Sequence, residues 1–340
     1  IELDQTVFDC IDPLLFVRVV SFSEMEDSSR CPFLSKSQAP PKGASAMQTH
    51  CQAPLNPNME LKPLSEAEQA MCKKELQAIK EATGWDEPDR GGSVKEGASD
   101  AEGKPIQWRF GAPPDYTLAN LEYFKYKLKH HPSGSLEQLV ENLVKTWEFE
   151  RSHKADPRQH TVANQEGFLL SANGGKKFSH LEAHEVGNYN ALLESCDSQF
   201  WDSEKMSNWE SHELFHAVFP AFAWEILKVH TGPPVVHFEW RHFGRFTGIY
   251  KNHRGNGEMI DLRGHGIATV SDKLQLMDTQ FFYDQETFLK VLEGRLPAQS
   301  LGHPVDPQRT CIRAIDDVSN YADESKVMYV SPVDAVCRCM

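Results

Sequence analysis

The chain has 340 residues, enough for one large domain or two modest ones, and 40% of them are hydrophobic, which is enough to fill a core. Its 35 Lys and Arg stand against 49 Asp and Glu, a net charge of -14, so a phosphate backbone is repelled away from short basic runs such as 125–130 and 241–245. No apolar run approaches the roughly 20 residues of a membrane helix, so neither a nucleic acid nor a membrane is an expected partner.

From the N-terminus, residues 1–24 read as a leader or a fragment edge, with Met25 opening a more ordinary start. Residues 26–63 are rich in Ser, Pro, Gln, Lys and Asn and bury too little to offset ordering entropy, so 1–63 is expected to be a leader or disordered. Cys31-Pro32 within it reads as plain linker. The segment 64–107 is expected to hold an isolated helix and a polar linker. Ser65 and Glu68 have capping-box spacing, Cys72, Leu76, Ile79 and Thr83 form a stripe, and Gly84 suits the end. The eight cysteines include no CxxC pair and no Asn-x-Ser/Thr sequon occurs, which points to free thiols in a reducing, cytoplasmic setting. Cys337-x-Cys339 reads as two tail thiols.

The run 108–116 is aromatic and Pro-rich and reads as an extended arm. Ser135, with Gln138 at the reciprocal position, starts a helix to about 151. Its apolar face is Leu136, Leu139, Val140, Leu143, Val144 and Trp147. Residues 154–207 are mixed, with a turn at Gly174-Gly175 and a short helix over 189–195. A further helix runs over 208–219, where Pro220 ends it. The period then changes to that of strands: 235–250, bent or broken at Gly244 and Gly248, then 258–270 after a hairpin turn, then 274–283 after Ser271-Asp272-Lys273. Asp284 caps a closing helix carrying Phe288, Leu289 and Leu292, with Gly294 at its end. Helices followed by an antiparallel meander predict an α+β fold, with N-terminal helices on one face of a curved antiparallel sheet. The domain is expected over 108–295 and a tail over 296–340.

The meander resembles the SnoaL-like domains of the nuclear-transport-factor-2-like superfamily. The matching residues are Trp240 with Gly244 and Gly248, then Leu262-Arg263-Gly264, the Asp272-Lys273 turn, and Tyr283-Asp284 before the last helix. WRFGAPPDYTLAN (108–120), SLEQLVENLVKTWEFERSHK (135–154), LSANGGKKF (170–178), VGNYNALLES (186–195), WRHFGRFTG (240–248) and DKLQLMDTQFFYD (272–284) are similar to plant-type pathogen-related proteins, a subgroup of that superfamily. The resemblance implies a cone with a cavity between sheet and helices. It implies no single reaction, since relatives include cyclases, isomerases, dehydratases and epoxide hydrolases. No cofactor is expected. Dimerisation through the outer face of the sheet is an expectation by analogy alone.

Three sets of residues carry chemistry. His212-Glu213-Leu214-Phe215-His216 is HExxH on a helix, a weak zinc motif here because the chain offers no clear third ligand. His265 and Asp278 are expected on successive strands, and the resemblance implies an Asp–His acid–base pair there. The match needs a one-residue gap, however, and one residue reverses a strand's face. Phe238, Trp240, His242 and Phe246 alternate onto one face of the first strand, and Trp147, Trp224 and His216 are expected to meet them around a small apolar or aromatic ligand. Glu239, Arg241 and Arg245 take the other face, expected to be solvated or to pair two copies. Ligand binding without assigned activity is the leading expectation. An Asp–His isomerase, cyclase or dehydratase is the rival, and a zinc hydrolase the distant third.

Overall fold

Serine caps set the starts of four helices. Ser65, Ser179 and Ser207 form capping boxes with Glu68, Glu182 and Glu210, and Ser135 accepts a hydrogen bond from Gln138 N. The computed structural model describes residues 64–302, apart from 92, 93 and 96. The expectations placed on 1–63 and 303–340 lie outside the described residues. They comprise the disordered extensions, Met25, Cys31-Pro32 and Cys337-x-Cys339.

The helices are α1 (Glu66–Thr83), α2 (Thr117–Tyr126), α3 (Leu136–His153), α4 (His180–Val186), α5 (Asn188–Leu193), α6 (Asn208–Val218) and α7 (Gln285–Leu292). The strands are β1 (Leu169–Ala172), β2 (Phe178–Ser179), β3 (Ala223–Thr231), β4 (Val235–Arg245), β5 (Ile249–Tyr250), β6 (His253–Arg254), β7 (Met259–Val270) and β8 (Leu276–Tyr283). Six strands form one sheet in the order β2-β1-β8-β7-β4-β3. The β4–β7–β8 meander is the one read from the sequence. β3 adds to its edge antiparallel to β4, and β1 pairs with β8 in parallel. The α+β class therefore holds, while the wholly antiparallel sheet is corrected to a mixed one. The expected first strand stops at Arg245, and 249–250 pair with 253–254 in a separate hairpin.

The main core lies between one face of the sheet and helices α3, α5, α6 and α7. It includes Val144, Trp147, Phe215, Ile226, Phe238, Trp240, Phe281 and Leu289. Cross-strand pairing shapes it. Trp240 faces Gly264 and Phe238 faces Gly266. A Cβ on Gly264 would come within 2.5 Å of the Trp240 ring, and one on Gly266 within 2.2 Å of the Phe238 ring. Both rings thus lie flat over β7, in space that only glycine leaves open.

A second core covers the opposite face at the β3–β4 edge. Cys72 and Leu76 of α1, Trp85, and Leu121, Tyr123 and Phe124 of α2 pack on Ala223 and Phe243. The helix expected to be isolated is therefore built into the fold. Its stripe of Cys72 and Leu76 finds a partner in α2, which the sequence pattern does not reveal. This layer also buries Arg241, which is 0% exposed between Glu225 and Asp261. The expectation of a solvated or pairing surface fails there. Arg245 reaches back to the Tyr126 hydroxyl, and Glu239 pairs with His230 at 2.7 Å. Among the described residues no helix is long and apolar enough to cross a membrane.

Candidate functional site

The polar stripe of α3 and one face of α6 meet across a chamber of about 220 Å³. α3 supplies Lys145, Trp147, Glu148, Ser152 and His153, and α6 supplies Asn208, His212, Phe215 and His216 at helical spacing. The sheet closes the back with Trp224 of β3 and His242 of β4, directly paired in the ladder. Tyr189 and Leu192 of α5, and Ala119 of α2, complete the walls.

The arm expected at 108–116 runs over this chamber. It is tied down at one end by Arg109 N donating to the His153 carbonyl. At the other end the Tyr116 hydroxyl donates to Glu148, while the Arg90 guanidinium lies 3.8 Å from the Tyr116 ring centroid. Between these ties Phe110 stacks on His212, ring centroids 4.6 Å apart.

Burial governs the chamber's charge. It lowers His212 to about 2, with His216, His153 and Arg109 adding repulsion, and lowers His216 and His153 each to about 4. It lowers His242 to about 3, although the contact of its Nε2 with the Phe222 carbonyl works the other way. These imidazoles are neutral at pH 7, so each offers one donor and one acceptor. His242 spends its Nε2 on Phe222, stacked at 3.6 Å. The His212 and His216 rings lie 4.1 Å apart, tilted at 41°, and neither hydrogen-bonds a protein atom among the described residues. The Tyr189 hydroxyl is likewise without a partner among them, and burial with the nearby Glu148 raises it far above its usual range. Glu148 accepts from Tyr116 and Ser152. An apolar body can lie against Trp224, Phe215 and Leu192 while its polar group meets this imidazole and hydroxyl set.

Of the residues expected around the ligand, Trp147, Trp224, His242 and His216 line the chamber. Trp240, Phe238 and Phe246 do not. Trp240 is 2% and Phe246 0% exposed in the core, and Phe238 borders only a small apolar gap of about 30 Å³ beside Val236 and Phe281. Trp240 touches the site through Trp224, 4.6 Å ring to ring. The glycines of β7 explain this, because they draw both rings down onto the strand.

His265 and Asp278 do not meet. The ladder sets His265 opposite Phe282 and Asp278 opposite Thr269, four residues along. Both lie on the face away from Trp240, because Phe281 and Thr279 are the buried, inward residues of β8. His265 is exposed and Asp278 is bound to Lys177 at 2.7 Å. An acid–base pair at these positions is therefore excluded by register. Among the described residues no group of three or more His, Cys, Asp or Glu that could hold a metal occurs.

The sequence reading missed Lys145, Glu148, Tyr189 and His153. Glu141, Lys145, Glu148 and Ser152 recur at helical spacing beside the apolar stripe of α3, a second face that a polar-periodicity count would have flagged.

No family model matches the chain. A pathogen-related protein of Hordeum vulgare is 33% identical over 196 residues, which are 56% of this chain and 83% of the Hordeum protein. Among solved structures, a protein described as a SnoaL-like polyketide cyclase from Jannaschia sp. CCS1 covers 48% of this chain and 97% of its own, at 15% identity and a TM-score of 0.27. A Catenulispora acidiphila protein with a ketosteroid isomerase-like fold, solved with trimethylamine, covers 46% and 95%, at 14% identity and a TM-score of 0.27. Scores of that size carry no argument about chemistry.

Proposed function

Because this chain belongs to the pathogen-related protein family, and because its helices and sheet wall off a chamber of about 220 Å³, we propose that it binds a small molecule with an apolar, ring-sized body and one or two hydrogen-bonding groups. The observation that carries this reading is the unspent polar set of His212, His216 and Tyr189 facing aromatic walls. His216 is exposed and His212 and Tyr189 are half-buried, so their polar atoms are open to the chamber, and a ligand there exchanges hydrogen bonds with water for hydrogen bonds with this set. Size limits the guest: a cavity of roughly 150 Å³ admits one benzene ring, so this chamber suits one substituted ring or a compact bicycle. Neutral imidazoles favour a neutral or weakly acidic guest such as a phenol over a strong cation.

Tryptophan fluorescence tests the reading, because Trp147 and Trp224 stand in the wall. Phenol and indole are titrated into the protein. A saturable change at one site per chain is expected, and Ala119→Phe, which fills the chamber from α2, should abolish it without lowering Tm by more than a few degrees. A response that stays linear, or one untouched by Ala119→Phe, would refute the reading.

A further inference from the structure

Lys145 is an unusual wall residue. It is 5% exposed, yet no carboxylate pairs with it among the described residues. Its Nζ donates to the Trp224 carbonyl at 2.5 Å and lies 4.0 Å from the Tyr123 ring centroid. The closest acidic influence, Glu141, is already engaged by the Tyr123 hydroxyl and Ile226 N. The amine thus sits at the end of a buried stem, on the chamber wall, held by one carbonyl and one ring. Its other two hydrogens have no protein acceptor among the described residues.

Resting on the chamber reading above, we infer that Lys145 forms an imine with small aromatic aldehydes or ketones that enter the chamber. Burial favours the form this needs. It lowers the Lys145 ammonium to about 8, against the pull of Glu141 and with Arg90 and Lys127 pushing the same way as burial. A desolvated lysine in an apolar pocket is an activated nucleophile. The neutral amine attacks the carbonyl carbon, the C–N bond forms, and the C=O π pair moves to oxygen. One amine hydrogen passes to that oxygen to give a carbinolamine. The second leaves with the hydroxyl as water, and the C=N bond closes. Amine plus carbonyl gives imine plus one water, with no oxidant or cofactor. The Tyr123 ring beside the nitrogen, with the Trp224 side chain elsewhere on the chamber wall, suits a flat, conjugated carbonyl compound.

Reductive trapping tests it. The full chain is incubated with benzaldehyde and sodium cyanoborohydride, and the benzylated lysines are mapped by peptide mass spectrometry. At pH 7.5 about a quarter of Lys145 is neutral, against about one in a thousand of an exposed lysine near 10.4. Labelling of Lys145 is therefore expected roughly 200-fold above that of surface lysines, rising with pH to a midpoint near 8. Excess phenol should suppress it, and Lys145→Arg should remove it. Absence of a Lys145 adduct, or labelling spread evenly over surface lysines, overturns the inference. Phenol binding measured on the same sample separates the two failures. If phenol binds and Lys145 stays unlabelled, the chamber reading stands and the imine falls. If neither occurs, both fall.

Discussion

Replacing Arg241 by Met removes a cation that the α1–α2 layer seals from water. The guanidinium is 0% exposed. Its Nη1 donates to Glu225 at 3.0 Å and to the Tyr126 carbonyl at 2.8 Å, and its Nε lies 3.0 Å from Asp261. Glu225 also accepts from Leu128 N and Lys129 N, so it anchors the chain leaving α2. Burial already raises the Glu225 carboxyl above its usual range, and Arg241 is the main force holding it down. Breaking a buried ion pair by removing one partner costs about 3–5 kcal/mol. For an ordered unit of this size each kcal/mol lowers Tm by about 2–4 °C, so a fall of about 6–20 °C is expected. Urea unfolding at pH 7 reads the same loss as a shift in midpoint. The double variant Arg241→Met, Glu225→Gln should recover part of it, because the orphaned charge is gone. A single-variant loss below about 1 kcal/mol would mean that the cation is solvated, and the sealed outer face would be refuted.

Acid should destabilise the protein through a second histidine group. His160, His180 and His184 pack with ring centroids 5.0 and 5.2 Å apart, beside Arg109, Arg151 and Lys154. Burial lowers His184 to about 4, so the folded state binds fewer protons than the unfolded state between 6.5 and that value. Stability is then retained above pH 6.5 and lost as pH falls towards 4, at about 1.4 kcal/mol per pH unit for each such site. His184→Gln should flatten the slope of Tm against pH, whereas a Tm constant from pH 7 to 5 would contradict the assignment. Gly266→Ala drives a Cβ to within 2.2 Å of the Phe238 ring. Overpacking of this kind costs about 1–3 kcal/mol, read as a lower urea midpoint with unchanged m. A neutral outcome would mean that Phe238 does not lie over β7.

The sequence made the local structure legible and left the long-range structure hidden. Ser65 with Glu68, Ser135 and Asp284 mark their helix starts because capping is a contact within one turn. The β4–β7–β8 meander was readable because its strands follow one another in the chain, with a short turn from β7 to β8 and a small hairpin between β4 and β7. β1 was not, because Leu169–Ala172 pairs in parallel with residues more than 100 positions away. β3 was missed because Pro220 ends α6 and the residues after it alternate weakly. Trp240 illustrates the limit at the site. Its inward face was read correctly, but Gly264 opposite it turns the ring into the core, and Trp224 takes the chamber wall instead. Asp278 and His265 failed on register, a property of paired strands that neither strand carries alone.

A crystal structure of the protein soaked in phenol shows whether the chamber takes a ring. One ring is expected in the chamber, its face against Trp224 and its hydroxyl within hydrogen-bond reach of His212, His216 or Tyr189. A chamber filled by the protein's own side chains, or phenol found only on the outer surface, would contradict it.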